Sequence, residues 1–83
     1  MTVEQFNEKY SDFLEERHYG LDIHDEKVVA YLDEVFETEL TKIPGFTYSQ
    51  IKLKFNSSRF YATGLSAEKE TEIERKINEL VKS

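Results

Sequence analysis

The hydrophobic pattern of this 83-residue chain changes its period twice, and this change limits the folds that the chain can adopt. Apolar residues recur at helical spacing up to about residue 41, and again after residue 66. Between these regions, Ile51, Leu53 and Phe55 alternate with lysines, which is the pattern of a strand with one buried face. We therefore predict an α+β fold in the order α-α-β-β-α, with the helices packed on an antiparallel β-hairpin.

The first predicted helix spans residues 2–17. Thr2 and Gln5 have the spacing of a capping box, and Gly20 suits a left-handed position after the helix end. One side of this helix is apolar and consists of Val3, Phe6, Tyr10, Phe13 and Leu14. The pattern thus predicts an amphipathic helix whose other side is open to solvent.

Two further helices are predicted. One begins between residues 22 and 25 and ends near Thr41, before the helix-breaking Pro44. Its apolar stripe is the widest in the chain, which indicates the central helix: Val28, Val29, Tyr31, Leu32, Val35, Phe36 and Leu40. The last helix begins after Ser66 as its N-cap and has a narrower stripe: Ile73, Ile77, Leu80 and Val81.

The hairpin joins residues 51–55 to residues 59–63. Pairing Phe55 with Phe60 places every apolar side chain of both strands on one face, so we expect this register, with a loop of two or four residues. Four residues are favoured, because Ser57-Ser58 is poor for a two-residue turn. The alternative for residues 47–54 is a short helix, because their first and fourth residues also match a capping box.

A two-stranded sheet is marginal on its own. Either the helices cover it, or the free edge of the hairpin pairs with a second copy of the chain to form a homodimer. The length favours a single domain over residues 1–83, because either half would be too small for a core of its own.

Composition narrows the classes of protein further. The chain has no cysteine, which excludes disulfides and thiolate metal sites. It has no apolar run long enough to span a membrane, and its N-terminus lacks the features of a secretory signal. We therefore expect a cytoplasmic protein.

Charge is distributed unevenly along the chain. Residues 1–41 carry 12 acids and 3 bases, whereas residues 42–64 carry 4 bases and no acid. On the first two helices, carboxylates fall opposite the apolar stripe, so side-by-side packing would gather them on one surface. We call this set the acidic face: Glu4, Glu8, Asp12, Glu15, Glu26, Asp33 and Glu37. Such a surface improves solubility, and it also fits a basic protein partner.

The hairpin carries the opposite charge. In the expected register, one side of it presents a set that we call the basic face: Lys52, Lys54, Arg59 and Tyr61. These side chains could contact phosphates and stack on a base, as in nucleic-acid-binding modules. The alternative is that the lysines protect the sheet edge from aggregation.

Two aromatic residues, Phe46 and Tyr48, fit no apolar stripe and follow the Pro44-Gly45 turn. The favoured interpretation is that they form a β-bulge or a hydrophobic lid over the core. The alternative is that they are exposed beside the turn, which would make them candidate interface anchors.

No constellation for catalysis is visible, so we do not expect an enzyme. The two histidines, His18 and His24, could form only a weak divalent site with Asp22 and Asp25, and we predict neither a metal nor a cofactor. Glu39 falls within the apolar stripe of the second helix, but it lies near the helix end, where its side chain can reach water.

Two classes of function remain. The preferred one is a small acidic binding protein, such as an inhibitor, an adaptor or an immunity- or antitoxin-like protein, that docks a basic protein surface through the acidic face. The alternative is a nucleic-acid-binding module that uses the basic face. A net charge of −6 repels polyanions at long range, which makes nucleic acid the less expected partner.

Overall fold

The computed structural model describes residues 1–16, 18–55 and 57–82. In this part of the chain the helices are α1 (Val3–Lys9), α2 (Glu26–Thr38) and α3 (Ala67–Lys82). The strands are β1 (Gly20–Asp22), β2 (Thr47–Lys54) and β3 (Ser57–Thr63). Short 3-10 turns lie at Ser11–Phe13 and Leu40–Lys42. The α+β class is therefore confirmed.

The sheet is mixed, with the strand order β1-β2-β3. Strand β2 is antiparallel to β3 and parallel to β1. The predicted order of helices and hairpin strands is confirmed, and the hairpin of β2 and β3 is antiparallel, but the prediction that this hairpin forms the whole sheet is wrong. Strand β1 escaped prediction because three residues are too few to show an alternating pattern.

The predicted helix starts are confirmed by their caps. The Thr2 hydroxyl accepts from the N–H of Gln5, and the Gln5 side chain accepts from the N–H of Thr2, which completes a capping box. Asp25 caps α2 by accepting backbone N–H groups of the first turn. The Ser66 hydroxyl accepts from the N–H of Lys69 at the start of α3.

Helix α1 is shorter than predicted, because it ends at Lys9 and not near residue 17. Tyr10 turns into the core, where its hydroxyl donates to Asp33 Oδ1 at 2.6 Å. A 3-10 turn then redirects the chain, and the N–H of Glu15 donates to the carbonyl of Tyr48 at 2.9 Å. Tertiary contacts thus override the local helical pattern. The predicted helix end at residue 17 lies outside the described residues.

One hydrophobic cluster joins the three helices to one face of the sheet. Phe36 of α2 is fully buried at its centre. Its aromatic neighbours, with ring centroids 4.9 to 6.4 Å away, are Phe6, Tyr10, Phe46, Tyr48 and Phe60. The sheet contributes Leu21 and Ile51 to the same cluster, and α3 contributes Ile73 and Ile77. The helices therefore share one side of the sheet, and no helix of the described chain covers the other side.

The hairpin register differs from the prediction. Ile51 lies opposite Phe60, and Leu53 lies opposite Ser58. The Phe55–Phe60 pairing is therefore wrong, as is the alternative helix over residues 47–54, which lie in β2. Because β2 ends at Lys54 and β3 begins at residue 57, the connecting loop has two residues and not four. The observed register places a polar residue, Ser58, on the inward side.

Helix α3 makes this register possible because its residues accept hydrogen bonds from the outer edge of β3. The buried Ser58 hydroxyl donates to the carbonyl of Glu74 at 2.7 Å. The N–H of Ser58 donates to Asn78 Oδ1 at 2.8 Å, and the N–H of Phe60 donates to Glu74 Oε2 at 2.8 Å. Helices commonly protect an edge strand by covering it.

Helix α1 hydrogen-bonds to the backbone at the opposite edge of the sheet. The Asn7 side chain accepts from the N–H of Leu21 at 2.9 Å and donates to its carbonyl at 3.1 Å, as a neighbouring strand would. The close approach of this amide requires glycine at position 20, where a Cβ would lie 2.5 Å from Asn7 Oδ1 and φ is +71°. The amide of Asn7 therefore takes the place of a fourth strand beside Leu21.

Candidate functional site: the open face of the sheet

The uncovered side of the sheet presents all four residues of the basic face. Lys52 and Arg59 lie opposite each other on β2 and β3, and Tyr61 lies opposite Gln50. Lys54 is two residues along β2 from Lys52 and so points to the same side. The observed register changes the predicted pairs, but it keeps the same residues outward because it differs by an even number of positions.

The positive charges of this face form no ion pair with an acid among the described residues. Lys52 Nζ lies 6.0 Å from the centre of the Tyr61 ring, and Arg59 Nη1 donates to Ser57 Oγ at 3.0 Å. Within the described residues, no carboxylate oxygen lies within 4.0 Å of the charged nitrogens of Lys52, Lys54 or Arg59. Three cationic groups therefore remain available to a ligand.

One carboxylate borders the basic face. Asp22 of β1 lies beside Lys52 in the parallel register, and its carboxylate lies 3.4 Å from Nε2 of His24. The face therefore keeps an excess of positive charge across the three strands.

The hairpin tip carries the most exposed large apolar side chain in the described part of the chain. Phe55 is 89% exposed, and its φ of 53° lies in the left-handed region. The ring lies 5.8 Å from Lys54 Nζ. The sequence pattern hid this residue, because the strand alternation continues through Phe55 and suggests a core position.

The structure brings part of the acidic face together. Glu4 of α1 and Glu26 of α2 line the same shallow depression of about 260 Å³. Glu8 and Asp12 are exposed. These four carboxylates remain open to a partner.

Lys9 interrupts the acidic face at its other end. Its Nζ donates to Asp33 Oδ1 at 2.9 Å and lies 3.6 Å from Glu37 Oε2. This hydrogen bond, which Lys9 donates to Asp33, raises the pKa of Lys9. Burial raises the pKa of Asp33, but hydrogen bonds from Lys9 and Tyr10 outweigh it, so the pKa of this carboxyl is lowered. Burial, together with the Asp33 hydrogen bond, raises the pKa of Tyr10 to about 12. Asp33 and Glu37 are therefore partly neutralised within the chain.

Glu15 was predicted on the same helical surface, but it lies beyond α1 and contacts the sheet instead. Its Oε1 accepts from Thr47 Oγ1 at 3.0 Å and from Thr63 Oγ1 at 3.1 Å. Its Oε2 lies 3.7 Å from Nε2 of His18. The carboxylate thus ties the loop before β1 to the end of the hairpin.

Phe46 and Tyr48 are core residues, so the alternative that they are exposed interface anchors is wrong, whereas the favoured bulge or lid agrees with their burial. Phe46 is 3% exposed and Tyr48 is fully buried. An irregularity in β2 between Tyr48 and Gln50 changes the side to which residues point, which explains why the alternation breaks here. Burial raises the pKa of Tyr48, whose hydroxyl donates to Asn7 Oδ1 at 3.1 Å.

The edge of the hairpin offers few free donors for pairing with a second copy. The outward N–H groups of Ser58 and Phe60 are both bonded to α3. A homodimer through this edge stays a prediction, and it would have to displace these two hydrogen bonds.

The described residues contain no group of three or more His, Asp or Glu side chains that could hold a metal ion. Glu39 accepts from Lys69 Nζ at 2.7 Å, and its side chain is 51% exposed, which confirms that it reaches water. The absence of a metal, of a cofactor and of catalysis stays a prediction, as does the cytoplasmic location. In the part of the chain that the structure describes, every helix is too short or too polar to cross a membrane.

Comparison with protein-family models, with curated proteins and with solved structures finds no match to this chain.

Proposed function

We propose that this protein is a non-catalytic binding module that holds a nucleic-acid strand on the open face of its sheet. The observation that supports this function is the position of Lys52, Lys54, Arg59 and Tyr61 together on the one side of the sheet that no helix of the described chain covers. Lysine and arginine bind backbone phosphates, and an aromatic ring among them stacks on a base.

The net charge of −6 argues against a polyanion only at a distance. The acids of α1 and α2 belong to the helical side, whereas residues 42–64 contain no acid. The molecule measures at least 24 Å along each principal axis, and charges more than about 8 Å apart are largely screened at physiological salt. A ligand in contact with the sheet therefore meets mainly the cations beside it.

Reversing the charge of the two lysines of the basic face should strongly weaken binding. We expect K52E/K54E to weaken binding of a labelled single-stranded oligonucleotide of about 12 nucleotides by at least 10-fold in fluorescence anisotropy. With three phosphate contacts, binding to the unmodified protein should weaken about 20-fold between about 50 and 200 mM salt. This salt dependence should become much shallower in the variant.

The matched control is K76E/K82E, which makes the same change in net charge at two exposed positions of α3. This control should change the affinity by less than about 3-fold, since the helix is not part of the basic face. Equal losses in the two double variants would show that only overall charge matters, and the proposed function would be wrong.

A second candidate function uses what remains of the acidic face. The observation that favours it is the position of Glu4 and Glu26 on the same depression between α1 and α2, with Glu8 exposed nearby on α1. These carboxylates fit a basic protein surface.

The second candidate predicts that E4K/E8K loses the capture of basic proteins from a host lysate at low salt, as read by mass spectrometry. Reversing complementary charges should reduce the recovery by at least 10-fold. The control E68K/E79K makes the same charge change on exposed positions of α3 and should retain capture. Equal recovery with both variants would exclude the acidic face as the docking surface.

A further inference from the structure

Phe55 combines two properties that a folded chain rarely retains in one residue. Its φ of 53° is in the left-handed region, which is unfavourable for a bulky side chain and favours Gly, Asn or Asp. Its side chain is 89% exposed, so packing against the core does not compensate for the strain. The two-residue loop itself requires a positive φ, so what the fold leaves unexplained is an exposed phenyl ring at this position, and such departures from local rules are typical of residues that act on a ligand.

We infer that Phe55 stacks on an unpaired base, so that the ligand of the open face is a single strand and not a duplex. This inference rests on the proposed function and specifies its ligand. A ring at a hairpin tip can stack only on a base whose face is free, whereas the bases of a duplex are stacked on one another.

The distribution of aromatic rings and cations along the hairpin supports a strand laid lengthwise. Tyr61 lies opposite Gln50, and Phe55 follows five residues later along the chain, which corresponds to about 17 Å of extended strand. The cations of Lys52, Lys54 and Arg59 lie on the residues between these two rings. A single strand that follows the hairpin would therefore stack a base at each end and place its phosphates beside the lysines and the arginine.

The charge next to Phe55 identifies the chemistry of the ligand. Lys54 Nζ lies 5.8 Å from the Phe55 ring, so the tip offers an aromatic surface and a cation together. A nucleotide presents a flat base and an anionic phosphate in the same combination. An anionic lipid surface would also contact a cation and an apolar ring, and the experiment therefore includes it as a separate arm.

The test uses three substitutions of Phe55 in the full chain. F55N removes the ring and fits the left-handed backbone, so it should raise the midpoint of thermal unfolding by about 4 °C. F55W keeps a stacking surface, and it introduces the only tryptophan of the chain. F55L keeps apolar bulk without an aromatic ring. The probes are a single-stranded oligonucleotide, a duplex of the same sequence, and phosphatidylserine-containing vesicles.

We expect the unmodified protein to bind the single strand at least 10-fold more tightly than the duplex. F55N and F55L should each weaken single-strand binding at least 5-fold without changing its salt dependence, because the phosphate contacts remain. F55W should retain the affinity, and the single strand should quench its fluorescence. A gain in stability together with a loss of binding in F55N would separate a ligand-binding role from a structural one.

Three results would overturn this inference. The first is equal binding of duplex and single strand, and the second is equal affinity of F55N, F55L and the unmodified protein for the single strand. The third is a blue shift of the F55W fluorescence with vesicles and no quenching by oligonucleotides, which would indicate a lipid surface. If no oligonucleotide binds at all, the proposed function is wrong as well. If binding depends on salt but is unaffected by the substitutions of Phe55, only the inference about single strands is wrong.

Discussion

Replacing Phe36 with alanine should remove a large part of the free energy that stabilises the fold. The Phe36 ring is fully buried and lies against five other aromatic rings, which join α1, α2, β2 and β3. Removing a buried phenyl ring destabilises a protein by about 3–5 kcal/mol. A domain of this size has a total stability of roughly 4–12 kcal/mol, so the loss removes a large part of it. Urea denaturation followed by circular dichroism would measure the change.

The matched control is F55A, which removes the same atoms from an exposed position. It should change the free energy of unfolding by less than about 1 kcal/mol, because no buried contact is lost. F36L, which refills most of the volume, should recover much of the stability. A stability of F36A within about 1 kcal/mol of the unmodified protein would contradict the position of this ring at the centre of the core.

The second large effect is expected for Asn7→Ala, which should destabilise the fold by about 2–4 kcal/mol. The Asn7 amide pairs with both the N–H and the carbonyl of Leu21 and also accepts from the Tyr48 hydroxyl. Alanine leaves three partly buried polar groups without this partner, and each such group is costly when water cannot replace the bond. Thermal and urea denaturation would measure the loss.

Amide hydrogen exchange tests whether this loss arises at the sheet edge. In N7A the N–H of Leu21 should exchange much faster, whereas amides of β3 should change only as far as global stability changes. The control N78A removes one edge hydrogen bond, from the N–H of Ser58, and should destabilise the fold less than N7A. Unchanged exchange at Leu21 in N7A would contradict the hydrogen bonds assigned to Asn7.

Long-range features of the sequence predicted much of this fold. Helices α2 and α3 carry a helical stripe over many residues, and averaging over several turns makes such a signal robust. The outward position of the basic face also follows from alternation alone, which is unaffected by a register shift of an even number of residues. The sequence therefore predicted which residues form the candidate site, but it did not predict which of them lie opposite each other on β2 and β3.

The wrong predictions concern residues whose position depends on a distant partner. Tyr10 leaves the helix and donates a hydrogen bond from its hydroxyl to Asp33 of α2. Ser58 can point inward because its hydroxyl and its N–H are hydrogen-bonded to Glu74 and Asn78 of α3. A prediction that only places apolar residues inside the fold does not take such distant hydrogen-bond partners into account. Phe55 appeared to belong to the core because the alternation gives no sign of where the strand ends.

The side chains that close the sheet also have a consequence for assembly. Asn7 occupies one margin of the three strands, and Glu74 and Asn78 occupy the other, so a further strand can join only by displacing their hydrogen bonds. Fibrils grow when the backbone at a margin recruits another chain, and here recruitment must first expel an amide or a carboxylate. We therefore expect that the protein can expose one broad surface of its strands without growing into fibrils.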